Sequence, residues 1–197
     1  GMGGPGGNDD RRFREVYPRQ ASRPKVFYEL EGFTTYNGKH MDFDDTEGYV
    51  TVIAPVKSDC ESMDEVLPYF NHIAEVYPYA LEVIIFPITP ETTPITTCPS
   101  IKKYARKIGN GRLYIMEPSD VTSTDHVVFS YFREQFAADE AFYASNTDET
   151  GLDRSFDPNH MFLLDPVGNI KMFFEFDKKQ IREQIENTMN HGYDDSP

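Results

Sequence analysis

Two apolar, β-branched stretches on either side of an amphipathic helix constrain this chain more than anything else in it. Residues 49–56 (YVTVIAPV) and 81–86 (LEVIIF) have the near-continuous apolar pattern of strands buried on both faces. Between them Met63, Val66, Leu67, Phe70, Ile73 and Ala74 recur at three- and four-residue steps, the stripe of a helix, with Ser62 and Glu65 placed as a capping box. Strand, helix and strand in that order imply parallel strands joined by a crossover, which is right-handed in nearly all sheets. An α/β domain built around this βαβ unit is the expectation.

The flanking sequence extends the pattern. Residues 25–30 and 40–43 read as a hairpin joined through Asn37-Gly38, a pair that tolerates positive φ. After the second central strand, Ile101, Tyr104, Ala105 and Ile108 mark a helix stopped by Gly109, and residues 113–116 form a short strand. Val128, Tyr131, Phe132 and Gln135 share one face of a third helix beginning near Asp125. Residues 137–156 are polar and acidic, the composition of a surface loop. A second hairpin joins residues 161–164 to 170–176 through Asp165-Pro166-Val167-Gly168, and a last helix carries Ile181, Ile185 and Met189.

Composition sets the outer limits. Hydrophobic residues make up 39% and charged residues 26% of 197, enough for one globular domain with its own core. Residues 1–24 read as a flexible basic leader carrying Arg11, Arg12, Arg14, Arg19 and Arg23, residues 25–191 as the domain, and 192–197 as an acidic tail. A net charge of −14 argues against nucleic acid or an anionic membrane surface as partner, since phosphates would be repelled. No apolar stretch is long enough to span a bilayer, so direct membrane insertion is not expected. Gly1-Met2 reads as a cloning remnant, which leaves room for a targeting or anchor segment removed from the N-terminus and leaves the compartment open. Two cysteines cannot make a disulfide framework, so the fold rests on its core.

The motifs, in their order and spacing, resemble the glutathione-peroxidase-like branch of the thioredoxin-fold superfamily. The resemblance is carried by Phe27-Tyr28-Glu29-Leu30, by Asn37-Gly38, by the strand running into Cys60 (VTVIAPVKSDC), by Phe86-Pro87, by the helix IKKYARK at 101–107 and by FLLDPVGN at 162–169. It implies a thioredoxin-like sandwich, with a mixed central sheet flanked by helices, an N-terminal β-hairpin and an extra helix before the final hairpin. It also places Cys60 where that branch keeps its peroxidatic cysteine. The active site is divergent: the family's Cys-Asn-Gln falls on Ile88, Thr89 and Pro90, its Trp-Asn pair on Asp157 and Pro158, and its resolving helix cysteine on Ala105.

A peroxidatic or redox cysteine must react as a thiolate. The helix expected from Ser62 would favour the Cys60 anion through its free N–H groups, and Lys57 would add to this, whereas Asp59 and Glu61 oppose it. Cys98 is the other thiol of the chain, and it could capture a Cys60 sulfenic acid if the loop before it reaches that far. A secondary resemblance to the Sco copper-chaperone family brings Cys60, Met63 and His160 together as a Cu(I) set, although its second cysteine position is Asp64 and Met63 also fits the apolar stripe. His40, His72, His126 and His191 show no ligand spacing and read as surface residues. No phosphate loop or nucleophile elbow is present, and no cofactor is expected. Two functional readings stand side by side: a divergent thiol redox protein using Cys60 with an unidentified thiol reductant or protein partner, and a non-catalytic thioredoxin-fold interaction module.

Overall fold

The computed structural model of the chain describes residues 13–16, 26–104, 113–136, 160–173 and 177–191. Its strands are β1 (Phe13–Val16), β2 (Phe33–Thr34), β3 (His40–Met41), β4 (Val50–Lys57), β5 (Leu81–Ile88), β6 (Leu113–Ile115), β7 (Met161–Leu164) and β8 (Ile170–Phe173). The helices are α1 (Cys60–Val76), α2 (Pro99–Tyr104), α3 (Val127–Phe136) and α4 (Lys178–His191). Six strands make one sheet in the order β1-β8-β7-β4-β5-β6, while β2 and β3 pair apart from it. The β4–β5 and β5–β6 pairs are parallel and the β4–β7, β7–β8 and β8–β1 pairs antiparallel, so the sheet is mixed. This is the thioredoxin-like sandwich, with α3 as the extra helix before the final hairpin.

β4 and β5 hold the centre because alternate side chains face two separate cores. Val50, Val52, Ala54 and Val56 of β4, with Leu81, Val83 and Ile85 of β5, meet α1, α2 and α4 through residues such as Leu67, Phe70, Ile101 and Ile185. Ile53, Ile84 and Phe86 point the other way, into an aromatic core with Phe27, Phe43, Phe129, Phe132 and Phe162. Pro55 and Pro87 are tolerated because they lie past the doubly paired stretch: β7 pairs β4 only at Thr51–Ile53, and β6 pairs β5 only at Val83–Ile85.

Three local expectations are corrected. The first hairpin is formed by Phe33–Thr34 and His40–Met41, with Gly38 at φ +86°, and residues 27–29 form a 3₁₀ turn rather than a strand. Phe27 is driven into the aromatic core, where its ring lies 4.8 Å from that of Phe43, and a turn serves that anchor better than an edge strand would. Within residues 1–24, Phe13–Val16 is a strand against β8, with Phe13 opposite Phe173 and Val16 opposite Ile170. The helix before β6 is described over Pro99–Tyr104; Ala105, Ile108 and Gly109 lie outside the described residues, as does the surface loop expected at 137–156.

Candidate redox site

The C-terminal end of β4 feeds the chain through Ser58 and Asp59 directly into α1. Asp59 has the extended backbone of an N-cap, and its Oδ1 accepts the Ser62 N–H at 2.7 Å. The capping box expected at Ser62 and Glu65 is therefore not the helix start. Asp59 stands where the strand leaves the sheet and takes the Ser62 N–H itself, so the helix begins at Cys60. That puts the half-buried Cys60 in the first turn, where the unpaired N–H groups and the positive end of the helix dipole lie.

Cys98 is carried to the same place by a loop with several ties of its own. Beyond the cis Thr89–Pro90 peptide, the Thr92 N–H and hydroxyl both donate to the Ser58 carbonyl, at 3.3 and 3.2 Å. Glu91 Oε2 accepts the Ile95 N–H at 3.1 Å, opening a 3₁₀ turn that ends at Cys98. Cys98 is fully buried, and it forms a disulfide with Cys60 across a Cα–Cα distance of 5.1 Å. Pro99, which has no N–H to leave unsatisfied, starts α2. One residue further, the Ser100 N–H donates to Asp64 Oδ1 at 2.9 Å, a bond from α2 back to α1.

The surroundings of the disulfide are acidic and incompletely hydrogen-bonded. Asp59, Glu61 and Asp64 lie within the six residues 59–64 that open α1, against Lys57 at the exposed end of β4. Ser58 Oγ and Ser100 Oγ are buried without a partner among the described residues. Cys60 Sγ is bonded to Cys98, Met63 is fully buried in the α1 face of the core, and His160 is buried just ahead of β7. Among the described residues no three His, Cys, Asp or Glu side chains come together as a metal site. Ile88 ends β5 and Thr89 donates its N–H to the Ser119 carbonyl; Asp157 and Pro158 lie outside the described residues.

Sequence reasoning weighed Asp59 only as an opposing charge and Asp64 only as the broken copper-motif position; it missed the cap, the Asp64–Ser100 bond and the two buried serines. Asp59 carried a usable signal, a strong N-cap residue directly ahead of an apolar-periodic run. Asp64 and Ser100 carried none, because they meet across 36 residues.

Two further buried titratable groups lie on the aromatic side of the sheet. Glu82 is 4% exposed, its Oε2 has no partner among the described residues, and burial, reinforced by Asp45, pushes its pKa up to about 8. His126, read from sequence as a surface residue, is buried against Phe33, Phe86 and Phe129. Its Nδ1 accepts the Val128 N–H at 3.2 Å, which assigns the proton to Nε2 and makes Ser119 Oγ, 3.0 Å away, the acceptor. Burial, with Arg133 nearby, lowers its pKa to about 4. No helix among the described residues is long and apolar enough to cross a membrane.

The sequence matches no protein-family model and no curated protein. Solved structures do match. The apo form of Trgpx superposes with a TM-score of 0.58 at 14% identity, over 85% of this chain and 97% of its own. T. cruzi GPX1 gives 0.55 at 18% identity, over 84% and 97%. MTB dsbF, solved in mixed oxidized and reduced forms, gives 0.51 at 11% identity, over 83% and 99%. At these identities the likeness is one of fold.

Proposed function

We propose that the chain is a thiol–disulfide redox protein in which Cys60 and Cys98 interconvert between dithiol and disulfide, with Cys60 as the sulfur that meets the outside. One observation carries this reading: the half-buried Cys60 in the first turn of α1 is covalently paired with a fully buried Cys98. An external thiolate attacks Cys60 Sγ, the S–S bond breaks, and Cys98 leaves with the electron pair and takes up a proton. A second external thiol then attacks the mixed disulfide, releasing Cys60 as a thiolate. Two electrons pass from the external thiols to the protein, and the reverse sequence passes them back. MTB dsbF, of the same fold, occurs in mixed oxidized and reduced forms, so the fold accommodates both states.

Exchange with a thiol or disulfide fits the residues better than peroxide reduction. The positions where glutathione peroxidases keep an activating glutamine hold Ile88, Thr89 and Pro90, which offer no equivalent side-chain amide to a peroxide. The partner is accordingly a small thiol or a protein thiol. The test uses two single-cysteine variants and a small aromatic disulfide as probe. In Cys98→Ser, Cys60 is expected to form the mixed disulfide at least tenfold faster than Cys98 does in Cys60→Ser, with the fold intact in both. Equal rates, or reaction at Cys60 only on unfolding, would overturn the assignment and favour the non-catalytic module.

A further inference from the structure

We infer that Asp64 is the positioning residue of the cysteine pair: its carboxylate keeps Cys98 against Cys60 while the disulfide is open. The inference rests on the redox reading above. Asp64 is four residues after Cys60, one turn along the same face of α1. Ser100, whose N–H it accepts at 2.9 Å, is two residues after Cys98. Two links side by side therefore join the start of α1 to the start of α2. One is the covalent S–S bond; the other is a charge-assisted hydrogen bond. Reduction breaks only the first.

The segment from Glu61 to Thr97 would otherwise set the separation of the two thiols. On the upstream side of Cys98 that segment is already tied, since Thr92 bonds the Ser58 carbonyl through both N–H and hydroxyl. Asp64 ties the downstream side, just past Cys98. With both sides held, the Cys98 thiol stays within reach of a mixed disulfide on Cys60, which is the condition for a high effective concentration. The balanced reaction is protein dithiol plus glutathione disulfide giving protein disulfide plus two glutathione thiols. Its equilibrium constant measures that effective concentration directly.

The experiment equilibrates the full chain with glutathione buffers of varied ratio, quenches with acid, alkylates free thiols and counts labels and glutathione adducts by mass. Asp64→Ala is expected to lower the effective concentration about tenfold or more, the size of one hydrogen bond to a charged group, and to accumulate the glutathione adduct on Cys60. Asp64→Asn keeps a carbonyl acceptor for the Ser100 N–H and is expected to restore the wild-type value to within about threefold. If the alanine variant does not fold, Asp64→Ser, whose hydroxyl is too short to replace the carboxylate, takes its place. An unchanged effective concentration without the carboxylate would overturn the inference while leaving the redox reading intact. Equal shifts in the Asn and Ala variants would overturn it too, assigning the effect to charge. A wild-type disulfide that glutathione never exchanges would sink both readings.

Discussion

The two ends of the β4–β5 ladder hold carboxyl groups in opposite ways. At the C-terminal end, where Lys57 lies opposite Ile88, carboxylates are engaged with helix amides: Asp59 with Ser62 and Asp64 with Ser100. At the other end, where Thr51 lies opposite Glu82, a carboxyl group sits buried with one oxygen unpartnered and Asp45 near enough to oppose its charge. A buried carboxyl without a donor persists by keeping its proton, whereas one that accepts an amide can carry charge. The first end of the ladder should therefore answer to redox state, and the second to pH.

The largest effect is expected from Glu82. Folded, it holds its proton up to about pH 8; unfolded, it would lose it near 4.5. The stability this confers is full below about pH 4.5 and is lost as pH rises through about 8, amounting to roughly 5 kcal/mol in all. His126 works in the opposite sense: its folded pKa of about 4 lies below the ordinary 6.5, so stability falls by roughly 3 kcal/mol as pH drops from 6.5 to 4. Between about pH 4.5 and 6.5 the two slopes cancel, so urea titrations should show a plateau there and a net loss above it. Glu82→Gln should expose the His126 slope alone, with stability rising from pH 4 to 6.5 and then level. A Glu82→Gln profile that matches wild type would break the comparison at this end.

Opening the disulfide comes next. Its closed loop, with a sequence separation of 38, corresponds to roughly 4 kcal/mol of chain entropy. Cys98→Ser should lower stability by about that amount with the same pH profile as wild type, because redox and pH act at different ends. A change in the profile's shape would show that the ends are coupled. The smallest effect belongs to the helix cap. Asp59→Ala should cost about 1 kcal/mol in oxidised and reduced protein alike, and Asp59→Asn should recover most of it, as denaturation in each state would show.

The same contrast explains what was legible in the sequence. The βαβ unit could be read because apolar periodicity is a local signal, and β4, α1 and β5 fall where residues 49–56, 63–74 and 81–86 predict. Cys60 was singled out through the family resemblance, which keeps its reactive cysteine where a strand runs into a helix, and β4 does run into α1 there. Its pairing with Cys98 could only be left open, since that depends on loop ties such as Thr92 to Ser58 that no spacing rule encodes. Glu82 sat in plain view within LEVIIF, yet the apolar run suggested a strand and hid the cost of its one charged residue. The turn at residues 27–29 was missed because Phe27-Tyr28 has strand propensity, and burial of Phe27 overrode it. His126 was missed because an imidazole that caps α3 from within an aromatic cluster has no sequence signature.

The central claim is that the Cys60–Cys98 disulfide opens and closes within the folded chain. The most direct measurement is the rate of its reduction by dithiothreitol in native buffer, compared with the rate of global unfolding extrapolated from urea. The account predicts reduction faster than unfolding, first order in thiol, with the mixed disulfide on Cys60 and the tyrosine near-ultraviolet circular dichroism of the folded state retained. Reduction that saturates at the unfolding rate, with loss of that signal, would make the disulfide a structural staple and contradict the redox assignment.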